Sequence, residues 1–191
     1  MTSPRYAFRV DASNQIGYGH FMRCLTIANA LKKQSIQSCF ICRKEISHFQ
    51  SKVIEMGHEI FNLPSKVDQK FDWKKDANFT NSILEKFNVT WLIIDHYLID
   101  IKWETELRKN YKNIMVIDDL ANRLHECDII LDHNLGRTDE SYTDLVPKSS
   151  TILTGLKYAL IRDEFNDLRN ESLKLREDHV LKKILISMGG S

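Results

Sequence analysis

The run Gln15-Ile16-Gly17-Tyr18-Gly19-His20-Phe21-Met22-Arg23 puts a histidine where a tight turn passes into an amphipathic helix. It follows a hydrophobic stretch, Phe8-Arg9-Val10, that closes on Asp11. Glycines in such a turn let the backbone approach a ligand closely. Unsatisfied N–H groups at the helix start favour anionic or electron-rich oxygen. The positive end of the helix dipole works against an imidazolium and keeps the His20 ring neutral, able to take a proton. The chemistry implied is activation of a water or hydroxyl beside a phosphate-bearing ligand. The competing reading of His20 is structural, a helix-start ring bonded to a carbonyl. Gly17 and Gly19 taken alone are ordinary turn residues.

Strands and helices that alternate along the chain must position that histidine. Residues 5–11 read as a first strand, and the helix over 20–33 carries Phe21, Cys24, Leu25, Ala28 and Leu31 on one face. A strand at 37–43 precedes a helix at 47–56 that Gly57 stops. A short strand at 59–63 runs into Pro64 and a polar stretch from Ser65 to Asp76, before a helix over 77–87. Trp91-Leu-Ile-Ile-Asp95 is a buried strand, followed by a helix at 101–109 and a strand at 113–118. Two more strands fall at 128–132 and 151–155. Nearly all-apolar strands alternating with helices predict an α/β fold with a Rossmann-like parallel sheet covered on both faces.

Ligands in such sheets bind beyond the carboxyl ends of the strands. Asp11, Asp95-His96-Tyr97, Asp118-Asp119 and Asp132-His133-Asn134 all gather there. The repeated Asp-His after two strands invites a metal reading, but adjacent strand residues diverge and no spacing forms a chelate. No metal and no cofactor are expected.

The 191 residues suffice for one domain and something more. Lys+Arg 27 against Asp+Glu 26 leave a net charge of +1, which gives no electrostatic footprint for nucleic acid. No signal core and no bilayer-length apolar run are present, so a cytoplasmic protein without a membrane partner is expected. Cys39 and Cys42 form a C-x-x-C inside an apolar strand, so their side chains point to opposite faces and read as buried structural thiols.

Beyond Arg162 the chain turns highly charged, and Asp163 to Asp178 reads as a helix and hinge. Lys183-Ile-Leu-Ile-Ser-Met-Gly-Gly-Ser191 then reads as a new strand entering a glycine turn. The expected organisation is a domain over 1–165, a hinge and linker over 166–181, and over 182–191 the first strand and turn of a second, missing C-terminal domain.

Several of these segments resemble the UDP-sugar hydrolase family of pseudaminic acid biosynthesis, often called PseG. The likeness lies in Asp11-Ala-Ser, Ile16-Gly-Tyr-Gly-His20-x-x-Arg23, Ile94-Asp-His-Tyr97 and Asp118-Asp119. Cys127-Asp-Ile-Ile-Leu, Gly155-Leu-Lys-Tyr-Ala-Leu-Ile-Arg162-x-Glu164-Phe165 and Met188-Gly-Gly190 extend it in order along the chain. The resemblance implies the N-terminal half of a glycosyltransferase-B fold. It implies metal-free hydrolysis of UDP-2,4-diacetamido-2,4,6-trideoxy-β-L-altropyranose to UDP and free sugar, with water attacking the anomeric carbon and inverting it. His20 maps onto the family's proposed general base. The family's nucleotide-binding half is its second domain, so the resemblance implies weak or absent activity for this chain alone.

The substrate-binding candidates are Gly17, Tyr18, Gly19, Asp11, Asp95, Tyr97 and Arg162, with Gly189 and Gly190 opening the nucleotide site. Asp11 is expected to orient the His20 ring, touch a sugar amide or cap the turn. Tyr97 is expected at the sugar, Arg162 at the hinge, and Arg23 as a tie between helix and sheet. Two rival functions remain: a glycosyltransferase of the same fold acting on a UDP-amino sugar, whose base deprotonates a hydroxyl, and a non-catalytic nucleotide-binding module.

Overall fold

A computed structural model describes residues 5–12, 17–44, 47–66, 70–177 and 183–186. Seven strands form one sheet: β1 (Arg5–Val10), β2 (Gln37–Lys44), β3 (Glu59–Lys66), β4 (Val89–Asp95), β5 (Ile114–Ile117), β6 (Ile129–Asp132) and β7 (Thr151–Thr154). Their order is β3-β2-β1-β4-β5-β6-β7, and every pairing is parallel. The helices are α1 (Gly19–Lys33), α2 (Ser47–Glu55), α3 (Trp73–Leu84), α4 (Ile101–Arg108) and α5 (Asp163–Arg176).

Period-two alternation along the strands divides the core in two. Ala7, Cys39, Ile41, Leu92 and Ile94 face α3 and α4, where Ala77, Leu84, Trp103 and Leu107 are buried. Phe8, Val10, Phe40, Cys42 and Ile93 face α1, where Phe21, Cys24, Leu25 and Ala28 are buried. Cys39 and Cys42 thus fall on opposite faces, both fully buried and unbridged. Burial pushes the Cys39 thiol up to about 12.

Two sequence expectations need correction. The strand thought to stop before Pro64 continues to Lys66. It lies at the sheet edge with a register break opposite Arg43 and Lys44, where a residue without an N–H is tolerated. The helix expected over 77–87 spans Trp73–Leu84 instead. The Asp72 side chain accepts from the Lys75 N–H at 3.1 Å and caps it, and polar Asp76 and Thr80 belong to its buried face. Of the segment expected to open a second domain, residues 183–186 are described: Ile184, Leu185 and Ile186 are exposed there and pair with no strand among the described residues. Gly189 and Gly190 lie outside the described residues.

Candidate active site

β1 and β4 are neighbours whose connections leave in opposite directions, so a crevice opens beyond their carboxyl ends. Gly17 turns the chain there with φ of 81°. α1 then starts at Gly19, where a Cβ would meet nothing within 4 Å. Half-buried Tyr18 is the N-cap residue, leaning on the core beneath α1. His20 follows within the first turn of α1 and is 9% exposed.

Asp95, the last residue of β4, meets His20 directly. His20 Nδ1 lies 2.6 Å from Asp95 Oδ1. Arg23, one turn further along α1, donates from Nε to Asp95 Oδ2 at 2.5 Å and from Nη2 to Oδ1 at 2.6 Å. Burial alone would raise the Asp95 pKa, but hydrogen bonds from Arg23 and His20 hold it below the usual carboxylate range. His20 Nδ1 also lies 3.0 Å from Arg23 Nη2, which can only donate; the shorter contact, to an ionised carboxylate that can only accept, assigns a proton to Nδ1 and in the neutral tautomer leaves the lone pair on Nε2. The orienting carboxylate is therefore Asp95 and not Asp11.

Asp11 is 1% exposed and occupied on both oxygens. Arg9 Nη1 and the Arg43 N–H reach Oδ1 at 2.7 and 2.8 Å, while Arg43 Nε and His96 Nε2 reach Oδ2 at 2.6 and 2.9 Å. The expected sugar contact by Asp11 has no free oxygen to make it. Asp11 instead anchors a buried lattice. Arg9, fully buried, also grips Asp76 through Nε at 3.0 Å and Nη2 at 2.6 Å, and Trp103 Nε1 donates to Asp76 at 2.9 Å. His96 accepts the Leu98 N–H on Nδ1 at 3.1 Å and donates from Nε2 to Asp11. Burial holds His96 below its usual pKa.

A cavity of about 230 Å³ lies above these groups, lined by Asp11, His20, Arg43, Asp95, His96, Tyr97 and Leu98. Tyr97 is 43% exposed and packs edge-on to His20 at 4.4 Å between ring centroids. Its hydroxyl donates to Asp119 Oδ2 at 3.3 Å, an oxygen that also takes Arg23 Nη1 at 3.0 Å. A second groove of about 500 Å³ runs along the start of α1, between Gly19, Met22, Arg23 and Thr26 on one side and Leu160, Ile161, Arg162 and Phe165 on the other. Arg162 is exposed in that groove, with its guanidinium 5.1 Å above the Phe165 ring.

His20, Asp95 and Tyr97 thus line one cavity, Gly19 and Arg162 line the adjoining groove, and Gly17 and Tyr18 lead the chain into α1. The sequence reading assigned no site role to Asp119, and left Arg23 as a structural tie. The spacing of Arg23 three residues after His20 places both on one helix face, which was the available signal. Asp118 and Asp132 stay structural: Tyr142 Oη lies 3.0 and 2.8 Å from them with one proton to give, and Arg123 and Arg137 pair with them. Among the described residues, no cluster of three or more His, Cys, Asp or Glu could hold a metal ion. No described helix is long and apolar enough to cross a membrane.

The likeness read from the motifs extends along the whole chain. It is 32% identical over 186 residues to the UDP-2,4-diacetamido-2,4,6-trideoxy-beta-L-altropyranose hydrolase of Campylobacter jejuni, covering 96% of this chain and 60% of that protein. An uncharacterized protein of Methanocaldococcus jannaschii is 23% identical over 98% of the chain and 37% of its own length. The chain therefore spans less than two thirds of these curated relatives. No protein-family model matches. Among solved structures, Acinetobacter baumannii MurG superposes with a TM-score of 0.52 at 10% identity, over 78% of this chain and 44% of that one. A Rickettsia africae glycosyltransferase gives 0.56 at 10% identity, over 97% and 52%. These likenesses show the fold: a Rossmann-like N-terminal half of a glycosyltransferase-B architecture.

Proposed function

We propose that this chain is the base-bearing half of a UDP-sugar hydrolase, acting on UDP-2,4-diacetamido-2,4,6-trideoxy-β-L-altropyranose in pseudaminic acid biosynthesis. The observation that carries the reading is the 2.6 Å contact from His20 Nδ1 to Asp95, in a cavity at the switch point of the sheet. With Nδ1–H committed to the carboxylate, Nε2 is the basic nitrogen. Water enters the cavity, gives its proton to His20 Nε2, and forms a bond to the anomeric carbon. The bond from that carbon to the UDP oxygen breaks, its electron pair leaves with UDP, and the free sugar carries inverted configuration. Asp95 stabilises the imidazolium so formed, and Arg23 holds Asp95 in place. Tyr97 forms the sugar-facing wall. The scheme calls on no metal or cofactor. The second half of the cleft, with its nucleotide contacts, comes from a further domain.

The sequence identity to the Campylobacter hydrolase supports the choice of water as acceptor. Incubating the enzyme with the UDP-sugar in ¹⁸O-labelled water tests it. Label in the sugar agrees with attack at carbon; label in UDP overturns it; transfer to an added sugar or lipid-linked hydroxyl with no hydrolysis makes the protein a glycosyltransferase. A positioned base contributes about 10²–10⁴-fold, so His20→Asn is expected to lower kcat by that order.

A further inference from the structure

The Arg23 guanidinium spans two strand ends. Asp95 closes β4, Asp119 stands two residues beyond its parallel neighbour β5, and Arg23 of α1 pairs with both. Nε and Nη2 donate to the two Asp95 oxygens, and Nη1 donates to Asp119 Oδ2 at 3.0 Å, so every guanidinium nitrogen rests on a carboxylate. The same Asp119 oxygen accepts the Tyr97 hydroxyl at 3.3 Å, and the Tyr97 ring packs edge-on against His20. Burial first, then the Asp119 charge, hold the Tyr97 phenol above its usual pKa and keep it a donor. Asp119 thus meets two groups that flank the base, without a hydrogen bond to His20 itself. Its remaining oxygen speaks against a purely structural duty. Oδ1 is closed to solvent with no hydrogen-bond partner among the described residues, a cost that a neutral side chain would lessen. Such local losses collect where function requires them.

What Asp119 controls follows from the reach of Arg23. Its Nη2 lies 2.6 Å from Asp95 Oδ1 and 3.0 Å from His20 Nδ1. A guanidinium only donates. If it turned and gave that proton to Nδ1, the ring's lone pair would sit on Nδ1 and its own proton on Nε2, the nitrogen that must be free to act as the base. Turning the group breaks its bond to Asp119, which weighs against that arrangement. We propose that Asp119 is a positioning residue: by fixing the third guanidinium nitrogen it keeps Arg23 on Asp95 and His20 in the tautomer whose Nε2 is basic. Through the Tyr97 hydroxyl it also holds the ring's edge-on neighbour in place. The inference rests on the hydrolase reading for the water that gives up the proton.

Two measurements test the role. In the active enzyme, Asp119→Ala is expected to lower kcat about tenfold or more with KM little moved, the loss of one hydrogen bond to a charged group. Asp119→Asn, which keeps an acceptor oxygen for Arg23 and Tyr97, recovers most of it. An equal loss in both variants, or one carried in KM, overturns the proposal. The second measurement needs no substrate: ¹⁵N spectra of the imidazoles at mildly alkaline pH separate a nitrogen that bears a proton from one that bears a lone pair. The His20 signals are expected to place the lone pair on Nε2 in the parent and in Asp119→Asn, and to move toward a mixture of tautomers in Asp119→Ala. The same His20 signals in all three proteins overturn the proposal. An enzyme that leaves the nucleotide sugar intact yet shows the tautomer change retains the positioning role and loses the hydrolase reading. Ordinary hydrolysis, with kcat and the His20 signals unaltered in Asp119→Ala, does the opposite.

Discussion

At Asp95 one carboxylate receives hydrogen bonds from both His20 and Arg23, so replacing it separates orientation from proton transfer. Asp95→Asn keeps the size but offers an N–H where His20 needs an acceptor, and it frees the ring to take the wrong tautomer. The expected loss is about 10²–10⁴-fold in kcat with KM little moved, read by steady-state kinetics. Arg23→Lys is expected to cost about tenfold or more, because an ammonium cannot bridge Asp95 and Asp119 as a guanidinium does. His20, Asp95 and Tyr97 were legible as candidates because each lies at a strand end or helix start, where a parallel sheet presents its ligands. The partnership was not. Asp95 stands 75 residues from His20, whereas Asp11 lies close in sequence, and only the strand order decides which carboxylate reaches the ring.

On the scale of single elements, the first strand owes its burial to ion pairs as well as to apolar packing. Arg9→Met removes the guanidinium between Asp11 and Asp76, so that Asp76 loses its cation and keeps the Trp103 N–H, while Asp11 keeps Arg43 and His96. Urea unfolding is expected to show a loss of about 3–5 kcal/mol. The same lattice explains why α3 was misread. Its buried face includes Asp76 and Thr80, so a search for apolar periodicity passes over its first turn and begins at Ala77. Pro64 misled in the same way, since an edge position was not visible before the strand order was known. In β2, by contrast, the alternation placed Cys39 and Cys42 correctly on opposite faces. With both thiols buried and pushed up in pKa, they are expected to resist thiol-reactive dyes in the native protein and to react fully after denaturation.

For the whole molecule, three histidines that burial holds below their usual pKa set the response to acid: His58, His96 and His133. Unfolded, each binds its proton near about pH 6.5; folded, each resists until lower pH. The unfolded state therefore holds more protons in between, and stability falls as pH drops below about 6.5. Thermal melts between pH 8 and 5 are expected to trace that decline, and His96→Gln to flatten it. A slope unaltered by that change would leave His96 without a part in it. The alternation of strands and helices was readable across the molecule because parallel strands are apolar on both faces; strand order, which builds the crevice, left no comparable mark. The Arg9 lattice has a last consequence, for the path to the native state. Its counterions come from sequence distances of up to 67 residues, so this guanidinium stays hydrated until long loops have closed. Its dehydration is expected late on the refolding pathway, with a φ-value near zero for Arg9→Met, which makes the innermost cation among the last groups to shed its water.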